Sequence, residues 1–76
     1  MLNYDEHALF QIQRRGIPMA WVEQTIRQPH ETETREDKKS FLRRFQGKAH
    51  MLRVVTLAAD EEYVIIAYFD RRKPCE

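Results

Sequence analysis

The hydrophobic period of this chain changes once, at Pro29, and that change restricts it to helices followed by strands. From Tyr4 to Arg15 the apolar residues Tyr4, Ala8, Leu9 and Ile12 recur at helical spacing, with Phe10 outside the stripe. Asn3 or Asp5 can cap the start of that helix. Gly16 follows where a helix terminus turns left-handed and glycine meets no steric penalty. Ile17-Pro18 then restarts the chain, since proline is compatible with a first helical turn. A second helix to about Arg27 would bury Trp21, Val22, Thr25 and Ile26 on one side, and Pro29 ends it.

Beyond Pro29 the pattern becomes alternating or continuously apolar, which predicts strands at 30–36, 40–46, 50–58 and 63–69. The first is polar, with Glu31 and Glu33 alternating with Thr32 and Thr34, and reads as an edge. The third and fourth are apolar on both faces and read as central. Gln46-Gly47-Lys48 and Asp60-Glu61-Glu62 make the connections. Such short links require antiparallel pairing, because a parallel crossover needs a dozen residues or more. The expected fold is α+β: two N-terminal helices packed on one face of a four-stranded antiparallel sheet. The expected core includes Leu9, Trp21, Ile26, Leu52, Val54, Ile65 and Ile66.

Seventy-six residues make one domain, spanning 1–76, near the smallest size that a single core supports without staples. A lone cysteine, Cys75, excludes a disulfide framework and a thiolate metal site, leaving an exposed tail thiol or a dimer-linking disulfide. No apolar run is long enough to span a membrane and no signal peptide opens the chain, so the expected location is cytoplasmic.

Charge is segregated along the chain. Lys38, Lys39, Arg43, Arg44 and Lys48 are followed by Arg53, with no acidic residue between Lys38 and Arg53, although the whole chain nets only +1. Phe41 and Phe45 lie within this block. Cations interleaved with aromatics suit a surface that holds phosphates and stacks bases. The plainer reading is a solvated strand with both phenylalanines in the core.

Several of these residues together resemble a known family. His7-Ala8-Leu9, the Arg14-Arg15-Gly16-Ile17 junction, Val22 and Ile26 before Pro29, then Leu52-Arg53-Val54-Val55 and Val64-Ile65-Ile66-Ala67-Tyr68 are similar, in order and spacing, to domain-of-unknown-function family 4258. That family is commonly grouped with the RelE and BrnT toxins of bacterial toxin–antitoxin pairs. The resemblance implies a RelE-like ααββββ layout and an endoribonuclease toxin that acts on RNA, often on the ribosome. It also implies a small antitoxin protein as partner and no cofactor. His7 matches the histidine of the family's opening motif. Tyr68 matches by position, and Arg71, Arg72 and Lys73 by type, the residues that RelE-like toxins bring to the active surface from the last strand.

Metal-independent RNA cleavage needs a base for the ribose 2′-hydroxyl, an acid for the leaving oxygen and cations for the phosphate. Histidine can serve either proton-transfer role near neutrality. His7 and His50 are therefore candidate catalytic groups with Arg53 and Tyr68, whereas His30, after Pro29, reads as a surface residue. Arg53 stands between Met51 and Val55 on an otherwise apolar strand face. It must reach the edge, pair with an acid such as Asp70, or line a concave functional surface. Arg15 is expected to pair with Glu23. Candidate RNA-binding residues are Lys38, Lys39, Arg43, Arg44, Lys48, Arg71, Arg72 and Lys73. Two glycines, Gly16 and Gly47, cannot make a phosphate-cradling loop, and no ligand-spaced residues suggest a metal. The alternative function is a catalytically silent module that binds RNA or protein.

Overall fold

The computed structural model describes residues 2–75. Strand β1 (Asn3–Tyr4) leads into helix α1 (Glu6–Arg14) and helix α2 (Met19–Arg27). Strands β2 (Glu31–Arg35), β3 (Lys38–Arg43), β4 (His50–Leu57) and β5 (Tyr63–Pro74) follow. The architecture is α+β, with the two helices on one face of a five-stranded mixed sheet of order β1-β5-β4-β3-β2.

Local chemistry accounts for the helix boundaries. The Asp5 carboxylate caps α1 by accepting the His7 backbone N–H at 3.1 Å, which satisfies one otherwise orphaned donor. At the other end Gly16 takes φ +67°. The N–H of Ile17 then reaches back to the Ile12 carbonyl, and that of Gly16 to Gln13, both at 3.1 Å. This pair of bonds is the Schellman termination, and Ile17 buries its side chain beside it. Pro18 opens α2 without a side-chain cap.

The four antiparallel strands expected from the pattern become five, because β1 pairs in parallel with β5, Asn3 opposite Tyr63 and Tyr4 opposite Val64. Two residues are too few to display a period. Their pairing is visible only in the bonds Asn3 N–H to Glu62 O at 2.7 Å and Asp5 N–H to Val64 O at 3.0 Å. As expected, β4 and β5 are interior and β2 is a polar edge. Strand β5 runs five residues past the predicted end at Phe69, through the charged stretch that ends at Pro74.

Directly opposed residues share a face, which sorts the side chains. Phe41, Val54 and Ala67 point to the helices, and Glu31, Leu42, Arg53 and Tyr68 point away from them. The helix-side core joins Ala8, Ile12, Ile17 and Val22 to Leu52, Val54, Val64 and Ala67. Of the expected core, Leu52 and Val54 are fully buried, whereas Leu9, Trp21, Ile26, Ile65 and Ile66 are only partly so. A bulge explains the β5 residues. Val55 faces Ile66 but Thr56 faces Val64, so Ile65 is the extra residue and Val64 and Ala67 take the core positions. On the other face Leu42 and Met51 are also buried, although no helix lies there.

Candidate nucleic-acid interface

Strands β3 and β5 end, and β2 and β4 begin, at the same end of the sheet. That end carries Arg43, Arg44 and Lys48 around the β3–β4 connection. The β5 tail adds Arg71, Arg72 and Lys73, joined to the connection through Cys75 N–H to Ala49 O at 3.0 Å and the pairing of His50 with Pro74. The opposite end carries Glu36 and Asp37 in one turn and Asp60, Glu61 and Glu62 in another, joined by Ala58 N–H to Asp37 O at 2.7 Å. The exposed cations of the β3–β4 connection and tail thus lie at the opposite end of the sheet from its two acidic turns, while Glu31 and Asp70 lie toward the basic end in ion pairs.

The basic block of the sequence does not form a single surface. Lys38 and Lys39 start β3 at the acidic end, roughly 17 Å along the strand from Arg43. There the Lys38 ammonium meets Asp37 at 3.3 Å and that of Lys39 meets Glu61 at 3.0 Å. The Arg43 guanidinium donates to the Gln28 carbonyl, and its buried Nε has no hydrogen-bond partner among the described residues. Arg44 and Lys48 are exposed, as is Arg71 in the tail, and among the described residues no carboxylate pairs with any of the three. His30 is exposed, as expected, and its Nδ1 accepts the Arg44 backbone N–H at 3.0 Å.

The face away from the helices is concave. Lys73 Nζ lies 3.1 Å from both Glu31 Oε1 and Glu33 Oε2, although β4 and β3 separate β5 from β2. The Lys73 side chain thus bridges β5 to β2 over the two intervening strands. Beneath the Lys73 contacts, Arg53 Nε donates to Asp70 Oδ2 at 2.7 Å and Nη1 to Glu33 Oε1 at 3.2 Å. Burial pushes the Asp70 carboxyl up, but the Arg72 backbone N–H and the Arg53 guanidinium outweigh it and hold the group below the usual carboxylate range. Hydrogen bonds from Lys73 and Arg53 hold Glu33 low as well, and its two glutamates hold Lys73 high. Arg53 is therefore charged, buried and held between two carboxylates.

A cleft of about 610 Å³ opens on this face, with Ser40, Arg53, Val55, Tyr68, Arg72 and Lys38 in its lining. Two of the four residues expected to carry chemistry meet there, since Arg53 and Tyr68 are direct cross-strand partners. The Tyr68 hydroxyl has no hydrogen-bond partner among the described residues. His7 lies on α1, on the other side of the sheet, and is exposed; His50, half-buried at the start of β4, does not line the cleft. Arg15 does not pair with Glu23: its Nη1 donates to the Ala67 carbonyl at 2.9 Å, and Glu23 meets Arg27 at 3.5 Å. An exposed ion pair contributes little, so the arginine at the end of α1 is free to take the Ala67 carbonyl of β5 instead.

The two phenylalanines of the basic block part company. Phe41 is buried, whereas Phe45, beyond the end of β3, stacks on Trp21 with ring centres 4.4 Å apart and planes 7° from parallel. Phe69 meets Trp21 edge-on at 6.4 Å. The Lys48 ammonium stands 5.8 Å over the Trp21 ring and 5.3 Å over that of Phe69, and the Arg43 guanidinium 5.7 Å over Phe45. All three rings remain partly exposed. Sequence reasoning assigned Trp21 to the core and gave Phe69 no part in the basic surface. The available signal was Gly47, whose turn ends β3 at Arg43, short of the predicted 46, and leaves Phe45 outside the strand.

A family model described as "Domain of unknown function (DUF4258)" matches residues 4–69. The chain belongs to this family. The DUF4258 match takes in both helices and the sheet as far as Phe69, and so includes Arg53, Tyr68 and the aromatic trio; Asp70 and the basic tail lie beyond it. No curated protein and no solved structure matches the chain. Among the described residues, no helix is long and apolar enough to cross a membrane.

Proposed function

We propose that this DUF4258 domain binds RNA through the basic end of its sheet, as a binding module on a scaffold related to the RelE and BrnT toxins. The observation that carries this reading is the charge polarity of the sheet. Arg44, Lys48 and Arg71 are exposed and free of carboxylate partners at one end, while the acidic turns Glu36-Asp37 and Asp60–Glu62 lie at the other. Cations held apart from acids can displace the counterions of a phosphate backbone, which is the main source of affinity for nucleic acid. Three phosphate contacts would make the slope of log affinity against log salt steeper by about two on a single strand. Anisotropy of a labelled oligoribonucleotide across a salt series tests this. Replacing Arg44, Lys48 and Arg71 by alanine is expected to flatten the slope by about two, and an unchanged slope would refute the reading.

A second reading is a metal-independent endoribonuclease toxin neutralised by a small antitoxin protein, with the concave cleft as its active face. The pairing of Arg53 with a Tyr68 whose hydroxyl is unengaged favours it. Tyr68 could give or take a proton on the reacting ribose, and Arg72, whose side chain is largely exposed, could meet the phosphate. Induced expression should then arrest growth, with rescue by an adjacent small gene. Tyr68→Phe should lower cleavage by about 100-fold or more. An unaltered RNA substrate after prolonged incubation with purified protein would exclude this activity.

A further inference from the structure

Apolar rings at the margin of a small domain are ordinarily covered by other apolar groups. Trp21, Phe45 and Phe69 are half-covered, and the group that stands over Trp21 and Phe69 is the ammonium of one exposed lysine. Lys48 follows Gly47, whose φ of +84° is open to glycine at no cost, and the Lys48 backbone N–H closes that turn on Phe45 O at 3.1 Å. The lysine therefore projects from a tight turn, with a long side chain that can swing without disturbing either β3 or β4. An exposed cation over a ring contributes modestly and is easily exchanged for another partner.

We propose that the Trp21–Phe69 corner under Lys48 is a stacking site for an unpaired nucleobase, so that the domain selects single-stranded over duplex RNA. This inference rests on the RNA-binding reading above. As the base stacks on the exposed aromatic surface, the Lys48 ammonium exchanges its ring contact for the phosphate of the same nucleotide. Arg44 and Arg71 meet the neighbouring phosphates. Phe45, parallel to Trp21, holds the indole plane in position, with the Arg43 guanidinium over its own ring. A base buried within a duplex cannot reach such a corner, whereas every unpaired base offers a face that can stack.

Trp21 is the only tryptophan in the chain, so its emission reports on the site directly. The experiment titrates the intact protein with three ligands of equal length: a single-stranded oligoadenylate, the same sugar-phosphate strand without bases, and an RNA duplex. The oligoadenylate is expected to quench Trp21 and to bind roughly 5- to 150-fold more tightly than the baseless strand, the range set by one stacked base. Neither of the other ligands should change the emission. Phe69→Leu keeps the volume near constant and should remove most of that preference while retaining the salt slope. Equal binding of the strands with and without bases, with no change in emission, would overturn the stacking site and leave the RNA reading standing. Binding of no ligand would overturn both. If Phe69→Leu fails to fold, as circular dichroism would reveal, the comparison of ligands on the unaltered protein still decides.

Discussion

Arg53 Nε donates to Asp70 Oδ2 at 2.7 Å, joining a buried guanidinium on β4 to a carboxylate on β5 that is only 3% exposed. The pair sits where β5 leaves its regular register, since Met51 faces Asp70 while His50 faces Pro74. Asp70 Oδ1 also accepts the Arg72 backbone N–H at 2.9 Å, which ties the diverging tail to the same carboxylate. The ion pair thus holds the last strand and its tail against β4.

Removing one partner should leave the other buried and unmatched. Arg53→Met is expected to lower stability by about 3 kcal/mol, at the small end of the range for breaking a buried pair. A domain of this size has only several kcal/mol in total, so the loss would be conspicuous in a urea titration. Adding Asp70→Asn should recover part of it, because the amide removes the stranded charge and its oxygen can still accept the Arg72 N–H. A double variant no more stable than Arg53→Met would show that the pair contributes little. The same result bears on chemistry: activity lost by Arg53 variants has to be compared at temperatures where they remain folded.

The concave face should also make the fold acid-sensitive. Asp70 and Glu33 titrate below their ordinary range in the folded state. Such groups stabilise the fold above their unfolded values, near pH 4, and that contribution disappears as pH falls through the lower folded values. Lys73 runs the other way: its folded value is raised, so its contribution is present below the unfolded value and is lost as pH rises through the folded one. Melting temperature should therefore fall below about pH 4 and again at strongly alkaline pH. Asp70→Asn should shallow the acid limb, and an acid limb as steep as that of the unaltered protein would place the responsible carboxylates elsewhere.

The parts of this fold that were legible in the sequence are those where one residue type answers a local requirement over several turns or pleats. Gly16 announced the end of α1, Pro29 the end of α2, and the runs Met51–Leu57 and Tyr63–Phe69 their interior strands. Strand β1 was illegible because two residues carry no period, and the bulge at Ile65 because it shifts phase inside a run that is apolar throughout. The tail Arg71–Pro74 lies past the predicted end of the last strand at Phe69, because its strand conformation depends on a carboxylate just before it and on acids of β2, beyond two intervening strands. For the site, pairing of Arg53 with Asp70 could be anticipated from a charge on an apolar face. Division of the basic block between the two ends of the sheet could not, since it follows from where β3 starts and stops.

The entry and exit of α1 give a local test. Asp5→Ala removes the cap and also the carboxylate that Tyr63 reaches at 3.4 Å, and should cost about 1 kcal/mol. Gly16→Ala meets no neighbour, so its cost is conformational alone, about 1 kcal/mol for an alanine held at φ +67°. Thermal unfolding of both single variants and the double checks these values. The two sites lie at opposite ends of the helix, so their effects should add. A neutral Gly16→Ala would mean that the chain can end α1 without the left-handed turn.

The polarity of the sheet predicts that cations close in sequence behave differently toward RNA. Lys38 and Lys39 stand beside Asp37 and Glu61, so replacing both with alanine removes charges that are already neutralised locally. Arg44 and Lys48 have no such partners among the described residues. A Lys38→Ala/Lys39→Ala variant should bind RNA nearly as well as the unaltered chain, with the same salt slope. The Arg44→Ala/Lys48→Ala variant should lose slope by about 1.4, from two single-strand phosphate contacts. Both variants have the same net charge, so any general electrostatic attraction falls equally in the two. Equal losses of slope would mean that RNA responds only to overall charge, and that the two ends of the sheet are not distinguished.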